Sequence, residues 1–273
     1  MKLSPPYRMF ASCAVAFAAL VGAATAAMSP EAAPVAHALR DAQGGDAWNK
    51  VHYLRFDWVV ERDGQEVARM RHLWDRYTGN YRVEWKDKEG RAIVALFNVN
   101  TKAGRAWAAG TEVTGKDSEP LLARAYGRFI NDSYWLLMPS KLEDPGVQVE
   151  SAGSADVDGR KCDLLHVTFA KVGMTPGDQY WAYVDRDTHL MTRWAYFLED
   201  DKGTPSLEAA TAWQWGDWKH MGGVMMSSDR VQVGGEGKRR IYFPVLGVLD
   251  KVDDKVFTDP AVLLPDAPTI ASR

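Results

Sequence analysis

From residue 53 onward, apolar and polar residues alternate along much of the chain, the pattern expected of strands with one buried face. In the segment YLRFDWVV, Phe56 and Trp58 share one face while Arg55 and Asp57 share the other. The alternation resumes in ARMRHLWD after an Asp-Gly pair that begins at Asp63, a dipeptide that favours a tight hairpin turn. These two segments are therefore predicted to form an antiparallel hairpin.

The same two-residue period continues through most of the later chain. The segment RAIVALFNV is apolar on both faces, as expected of a strand that is covered on two sides. Further segments with strand character are YRVEWKD, CDLLHVTFA, QYWAYVDRDTHLMTRWAYFLE, LEAATAWQWGDW, VMMSSDRVQV and RRIYFPVLGVLDKV. Together they predict a mainly β protein with an antiparallel meander, followed by an extended, proline-punctuated tail, FTDPAVLLPDAP.

Two segments carry a helical period instead. Residues 32–42 form a short, alanine-rich amphipathic pattern that ends at a Gly-Gly pair beginning at Gly44. Residues 117–138 form a longer one, which Asp117 or Ser118 can cap at its start and Pro139 limits at its end. The second helix is predicted to interrupt the sheet.

The end of this second helix contains five consecutive apolar residues, YWLLM, from Tyr134 to Met138. At about 100° per residue, five successive side chains point all around a helix, so a single apolar stripe cannot bury them all. Either this helix end lies in a core on every side, or part of it faces an apolar partner that the chain does not supply.

The N-terminus has the pattern of an export signal in residues 1–26. Lys2 and Arg8 precede the apolar run MFASCAVAFAALVGA, and the small residues ATAA that follow suit cleavage near Ala26. The alternative is an uncleaved signal that anchors the protein, because the apolar stretch approaches the ~20 residues that span a bilayer. We expect export to the periplasm, with residues 27–273 as a single domain, since no linker-like stretch divides them.

Cysteine content and charge narrow the expected partners. Cleavage removes Cys13 and leaves Cys162 alone, so the mature chain can form no internal disulfide. The formal net charge is −3, and loss of Lys2 and Arg8 with a segment that holds no acidic residue brings it to −5. Such a surface argues against nucleic acid as a partner. A monomer is expected.

The sequence predicts no catalytic residue, no metal ligand and no cofactor. The six histidines lack the local spacing of a zinc or hydrolase motif, and neither a nucleophile elbow nor a phosphate-binding loop is present. The acidic stretches LEDDKG and LDKVDDKV do not match a calcium-binding loop. Asn131 and Asp132 could supply an acid or base, but Arg128 lies four residues before Asp132 and offers an ordinary ion pair along the helix.

Eleven tryptophans distinguish the composition, and most fall on predicted strands. For any single tryptophan, packing in the core is the simpler interpretation. Collectively, a curved sheet rich in Trp and Met is typical of a ligand cavity, and an apolar helix end could cover its mouth. The predicted ligand-binding wall residues are Trp58, Met70, Trp74, Trp85, Phe97, Tyr134, Trp135, Trp213 and Trp215.

The order of elements, with the segments GGDAWNKVHYLRF and NDSYWLLMPSKLEDPGV, resembles the LolA-like superfamily of periplasmic lipoprotein carriers. The two segments look most like an uncharacterised secreted family within it. The resemblance implies a curved, unclosed β-barrel with an N-terminal helix and an inserted helix against its concave side. It also implies an apolar cavity for acyl chains, with a lipid, another hydrophobic ligand, a lipoprotein or an envelope protein as the partner.

Three functions follow as hypotheses. The first is an exported, non-catalytic carrier or binding protein that holds a lipid or other apolar ligand between sheet and helices. The second is a secreted hydrolase whose carboxylates, such as Asp57, Asp75 and Asp132, converge in a site. The third is an interaction module of the cell envelope with a full core and exposed aromatic residues.

Overall fold

The computed structural model describes residues 26–170, 172, 175–261 and 263–267. The predicted export signal lies outside these residues except for Ala26, so export and the cleavage site stay predictions. Within the described part of the chain, no helix is both long enough and apolar enough to cross a membrane.

The described residues contain two α-helices, α1 (Ala32–Ala42) and α2 (Ser118–Leu137), close to the two predicted helical segments. Short 3-10 helices span Gly45–Lys50, Gly115–Asp117, Met138–Lys141 and Asp254–Phe257. The strands are β1 (Ala27–Met28), β2 (Tyr53–Arg62), β3 (Gln65–Asp75), β4 (Asn80–Lys86), β5 (Ala92–Asn98), β6 (Gly104–Ala108), β7 (Thr111–Val113), β8 (Val147–Val157), β9 (Arg160–Phe169), β10 (Gln179–Asp185), β11 (Met191–Phe197), β12 (Thr211–Met221), β13 (Val224–Val233), β14 (Arg239–Tyr242) and β15 (Leu246–Leu249).

All of these strands belong to one curved sheet, in the order β1-β8-β9-β10-β11-β12-β13-β14-β2-β3-β4-β5-β6-β7. β15 pairs with the first half of β2 and β14 with the second half. Neighbouring strands are antiparallel except for the parallel pair β1 and β8. β1 and β7 remain as the two edges, so the sheet is not closed into a barrel. The predicted fold class, mainly β with an inserted helix, is confirmed.

The inner face of the sheet forms the main core with α1 and α2. Phe56 and Trp58 point into this core, as their alternation with Arg55 and Asp57 predicted. The β2–β3 hairpin turns at Asp63 and Gly64, both with positive φ, which matches the tight turn that an Asp-Gly pair favours.

The outer face carries buried charged pairs beneath the C-terminal tail. Arg55 lies 2.5 Å from Asp57, and Arg82 lies 2.6 Å from Glu84. The Arg82 guanidinium also donates to the carbonyl oxygens of Val256 and residues further along the tail. Backbone carbonyls of the tail thus satisfy arginine donors that would otherwise be buried without partners. The tail begins with a 3-10 turn at Asp254–Phe257 before its irregular part.

The sequence pattern missed β1, β6, β7 and β8, and it placed the start of β12 too early. β8 lies beside the two-residue edge strand β1, which pairs with it only at Gln148 and Val149. Most of the later side chains of β8 are therefore exposed, and its alternation is weak. β12 begins at Thr211 because Leu207 and Ala210 lie in a loop that packs on a separate outer cluster around Trp181.

Candidate ligand cavity

A cavity of about 540 Å³ lies between the second half of α2 and strands β9 to β11. Its walls are mainly aromatic and aliphatic, with a few polar side chains. The lining residues are Trp74, Gly127, Phe129, Ile130, Asn131, Ser133, Tyr134, Trp135, Lys141, Asp144, Pro145, Val147, Phe169, Val172, Thr175, Asp178, Tyr180, Trp194, Tyr196 and Leu198.

Aromatic rings in contact with one another build the inner wall. The Trp135 ring lies 4.7 Å from that of Trp194, and the Tyr134 ring lies 5.6 Å from that of Tyr180, measured between centroids. Trp194 and Tyr180 in turn lie 5.2 Å apart. Tilted and edge-to-face pairs at these distances are favourable, so the wall is held by its own packing.

The YWLLM run at the end of α2 divides between two environments. Leu136, Leu137 and Met138 are buried in the main core. Tyr134 and Trp135 are only partly buried and line the cavity. The first alternative, burial in the core, thus holds for one side of the helix end, while an apolar partner for the other side stays a prediction.

The polar groups of the cavity lining differ in their exposure to solvent. The Lys141 ammonium lies 2.8 Å from the Asp144 carboxylate, and both side chains are partly exposed. Asp178 is buried and accepts hydrogen bonds from the Tyr180 hydroxyl, the Thr175 hydroxyl and a backbone N–H. Burial raises the pKa of the Tyr134 phenol, and the nearby Asp144 and Asp178 carboxylates raise it further. Tyr134 therefore remains a hydrogen-bond donor across the physiological pH range.

A buried polar network attaches α2 to the sheet beside the cavity. The His72 Nε2–H donates to Asp132 Oδ2 at 3.1 Å, and the Tyr81 hydroxyl donates to His72 Nδ1 at 2.8 Å. Asn131 Nδ2 donates to the other carboxylate oxygen at 2.7 Å, while Arg128 lies 3.6 Å from it. Asp132 is thus buried in the core and is not itself a lining residue, although it contacts the cavity through its bond with Asn131.

Stability should fall on acidification because His72 is buried in its neutral form. Burial lowers the pKa of His72, although Asp132 opposes the shift. Below about pH 6.5, where an unfolded histidine gains its proton, the unfolded chain binds more protons than the folded one. We expect the free energy of unfolding to be independent of this group above that pH and to drop as the pH falls below it. Urea unfolding at several pH values measures this loss.

The variant His72→Gln is the control for this pH dependence, because it retains the other histidines and a polar side chain. Between pH 7.5 and 5.5, its unfolding free energy should fall less than that of the parent protein. The difference between the two proteins should be on the order of the loss that linkage assigns to one histidine. Identical pH profiles for the two proteins would contradict a buried neutral His72.

Of the nine predicted wall residues, Trp74, Tyr134 and Trp135 line the cavity. The other six are buried in the core beneath α2: Trp58, Met70, Trp85, Phe97, Trp213 and Trp215. Two arginines of α2 cover part of this set, with Arg128 5.7 Å from the Trp58 ring and Arg124 5.8 Å from the Trp85 ring. Ligand contact by any of the nine stays a prediction.

Sequence reasoning missed the cavity residues on β9 to β11, namely Phe169, Tyr180, Trp194 and Tyr196. The alternation in QYWAYVD and TRWAYF already placed the last three on predicted strands. Nothing in the pattern indicated that these strands, rather than β2 to β4, would line an open volume.

The three carboxylates of the hydrolase hypothesis do not come together. Asp57 pairs with Arg55 and Arg69 on the outer face. Asp75 accepts hydrogen bonds from the turn that follows β3. Asp132 lies on the inner side with His72, and none of the three lines the cavity.

No model of a known protein family matches the chain, and no curated protein matches its sequence. The chain is similar to the crystal structure of a DUF1329 family protein from Desulfovibrio piger, with 12% identity, 85% of this chain and 98% of that chain covered, and a TM-score of 0.48. It is also similar to a putative outer membrane lipoprotein-sorting protein domain from Vibrio parahaemolyticus, with 8% identity, coverage of 82% and 94%, and a TM-score of 0.45. A LolA superfamily protein from Nitrosomonas europaea shows 9% identity, coverage of 80% and 98%, and a TM-score of 0.44.

Proposed function

We propose that this protein is an exported, non-catalytic carrier or binding protein that holds a lipid or other apolar ligand between the sheet and α2. The observation that supports this proposal is the cavity of about 540 Å³, walled mainly by aromatic and aliphatic side chains. Small-molecule sites are typically concave and apolar, with a few polar groups that orient the ligand, and have volumes of roughly 300–1,000 Å³. In this proposal the protein is a monomer in the periplasm. A lipoprotein or an envelope protein supplies the ligand or accepts it.

Burial alone can supply useful affinity in such a cavity. Removal of apolar surface from water contributes roughly 25 cal/mol per Å², before the costs of ordering the ligand. No catalytic group is needed for this kind of binding. The buried polar network and the core contacts of Leu136, Leu137 and Met138 support a preformed cavity, which lowers the ordering cost on the protein side.

The C-terminal end of α2 has a second attachment to the sheet. Arg230 is fully buried, and its guanidinium lies 3.9 Å from the Trp215 ring centroid and 4.6 Å from that of Phe243. Its Nε–H donates to the carbonyl oxygen of Trp135 at 3.1 Å. This bond supports a fixed position for the backbone that presents Tyr134 and Trp135 to the cavity.

The direct test is to express the full chain for export, purify the mature protein without detergent, and extract it with organic solvent. Mass spectrometry should then identify a co-purifying lipid in stoichiometric amount, which a competing apolar probe displaces. Folded protein that contains no lipid and binds no phenylnaphthylamine would refute the proposal.

The substitution Trp135→Ala should weaken binding more than it weakens the fold. The ring lies between the cavity and its neighbours Trp194 and Trp213, and it is only partly buried. We expect the loss of this ligand contact to cost about 2–3 kcal/mol of binding free energy. The loss of the ring's packing should lower the unfolding free energy by only about 1–2 kcal/mol. Probe titration and urea unfolding measure the two quantities.

Trp107→Ala is the matched control, because Trp107 is buried in a cluster on the outer face. It should cost about 3 kcal/mol of stability and leave ligand affinity unchanged. Equal losses of binding and stability in Trp135→Ala would make Trp135 an ordinary core residue.

A further inference from the structure

Asp178 is a buried carboxylate in the wall of the cavity, with 4% of its surface exposed. It accepts hydrogen bonds from the Thr175 hydroxyl at 2.6 Å, the Tyr180 hydroxyl at 2.8 Å and the backbone N–H of Glu199 at 2.9 Å. These bonds stabilise the negative charge but do not neutralise it. Among the residues that the structure describes, no Lys, Arg or His lies within salt-bridge distance of this carboxylate. Because buried charges in proteins are usually paired, a cation in the cavity would be stabilised beside Asp178.

The other charges around the cavity do not compensate this carboxylate. Lys141 is the one cation in the described part of the lining, and its ammonium group pairs with Asp144 at 2.8 Å. Leu198 lines the cavity and is 38% exposed, so it lies at the rim. The three residues that follow it, 199–201, are acidic and exposed, against a single exposed lysine at Lys202. The rim and the wall thus favour the approach of a cation over that of an anion.

Three aromatic rings of the wall form a cluster beside the carboxylate. The ring centroids of Tyr134, Tyr180 and Trp194 form a triangle with sides of 5.6, 5.8 and 5.2 Å. The ring planes are inclined to one another by 55°, 71° and 37°, so none of the three pairs is stacked face to face. A cation above such a triangle can lie within about 6 Å of all three centroids, which is the range of cation–π attraction. Because the Tyr180 hydroxyl donates to Asp178, the rings and the carboxylate lie together.

Hydrogen bonding at the site distinguishes one type of cation from another. A primary ammonium group has three N–H donors, and each needs an acceptor when water is removed. Asp178 already accepts three hydrogen bonds. Burial raises the pKa of the Tyr134 and Tyr180 phenols, and the negative charge of Asp178 adds to the rise, so both phenols keep their protons. A trimethylammonium group has no N–H donor to satisfy and is attracted to aromatic rings.

Resting on the proposed function, we infer that the cavity binds a trimethylammonium group over Tyr134, Tyr180 and Trp194, with Asp178 as its counter-charge. The group belongs either to the head of an apolar ligand or to a free solute such as choline. The cavity continues along α2 to Gly127, which leaves room for an apolar chain attached to the group. Asp178 is then a specificity-determining residue, because its charge favours a cation over a neutral group of the same shape.

The first test compares choline with 3,3-dimethylbutan-1-ol by isothermal titration calorimetry at pH 7.5 and low salt. The two molecules have the same shape, but a neutral carbon replaces the nitrogen in the second. We expect choline to bind at least tenfold more tightly than the neutral alcohol, and at least tenfold more tightly than ethanolamine, which has a primary ammonium group. Equal affinities for choline and the neutral alcohol would overturn the inference.

The second test distinguishes a lipid head group from a free solute. Dodecyltrimethylammonium, used below its aggregation concentration, carries the same cationic group on an apolar chain. If the group belongs to an apolar ligand, this compound should bind at least a hundredfold more tightly than choline, because the chain is buried as well. An affinity no higher than that of choline would assign the site to a free solute and would count against the lipid part of the proposed function.

The variant Asp178→Asn tests the charge argument, and the measured quantity is the ratio of the affinities for choline and for 3,3-dimethylbutan-1-ol. A general change in the cavity alters both affinities, whereas loss of the charge alters the ratio. We expect the ratio to fall about tenfold. Asp156→Asn is the matched control, since Asp156 pairs with Lys161 at 2.9 Å but lies in the β8–β9 hairpin outside the cavity lining. Equal ratios in the two variants would overturn the role of Asp178.

Two variants of Tyr134 test the aromatic ring independently of Asp178. Tyr134→Leu removes the ring and should lower the same ratio about fivefold. Tyr134→Phe keeps the ring without the hydroxyl and should retain most of the preference for choline. A ratio as low in Tyr134→Phe as in Tyr134→Leu would contradict a cation–π contact at this position.

The outcomes separate this inference from the proposed function. Folded protein that binds phenylnaphthylamine but shows no preference for choline over its neutral counterpart would overturn the inference and leave the carrier function standing. Failure of the probe and of dodecyltrimethylammonium to bind folded protein would remove the proposed function itself.

Discussion

Replacing Gly127 with leucine is expected to abolish most ligand binding without weakening the fold. Gly127 lies within α2 and lines the cavity, and a Cβ atom at this position would meet no atom within 4 Å. A leucine side chain takes the place of about four ligand methylene groups, each worth about 0.8 kcal/mol of burial. We therefore expect affinity to fall about a hundredfold in probe and lipid titrations.

The same substitution should raise the unfolding free energy by about 0.5–1 kcal/mol, because glycine is a poor residue for a helix interior. Gly127→Ala is the matched control, since it gains the helix propensity and occupies only the volume of one methyl group. It should bind nearly as well as the parent protein. Unchanged affinity in Gly127→Leu would place the ligand away from α2.

The second large effect is expected from Asp132→Ala, which should lower the unfolding free energy by about 3 kcal/mol. Asp132 and His72 are both fully buried, and the substitution leaves the His72 Nε2–H without its acceptor. It also frees Asn131 and Arg128 from their contacts with the carboxylate. Urea denaturation at pH 7.5 measures the loss.

Two further variants check this interpretation. Asp132→Asn retains an oxygen that can accept from His72 and should cost less than Asp132→Ala. Asp163→Ala removes the partner of Arg186 in an exposed pair and should cost less than about 1 kcal/mol. A loss in Asp132→Ala as small as that in Asp163→Ala would mean that the network does not hold α2 to the sheet.

If Asp132 holds the helix as we expect, its loss should also weaken ligand binding through the position of Tyr134 and Trp135. These residues follow Asp132 within a single helical turn and line the cavity. The network and the cavity thus share one element, and stability and affinity should fall together in Asp132→Ala. In Gly127→Leu the two quantities should instead change in opposite directions.

The local pattern determined much of the fold. Alternation placed Phe56 and Trp58 inside and Arg55 and Asp57 outside, because successive strand side chains point to opposite faces of a sheet. The glycines and Pro139 bounded the two helices for equally local reasons. Strand β8 escaped prediction because one of its sides lacks a neighbouring strand along most of its length, so its exposed side chains show little apolar period.

The sequence by itself determined that the end of α2 has more apolar surface than one stripe can bury. Only the tertiary structure decided that Leu136 to Met138 enter the core while Tyr134 and Trp135 face an open volume. It also decided that Trp58 and Trp85 lie under arginines of the helix, whereas Trp194 and Tyr180 line the cavity. The physical reason is that alternation specifies the face on which a strand residue lies, but not the distance between that face and the helix opposite. That distance depends on how the whole sheet curves and where the buried His72 and Asp132 fix the helix.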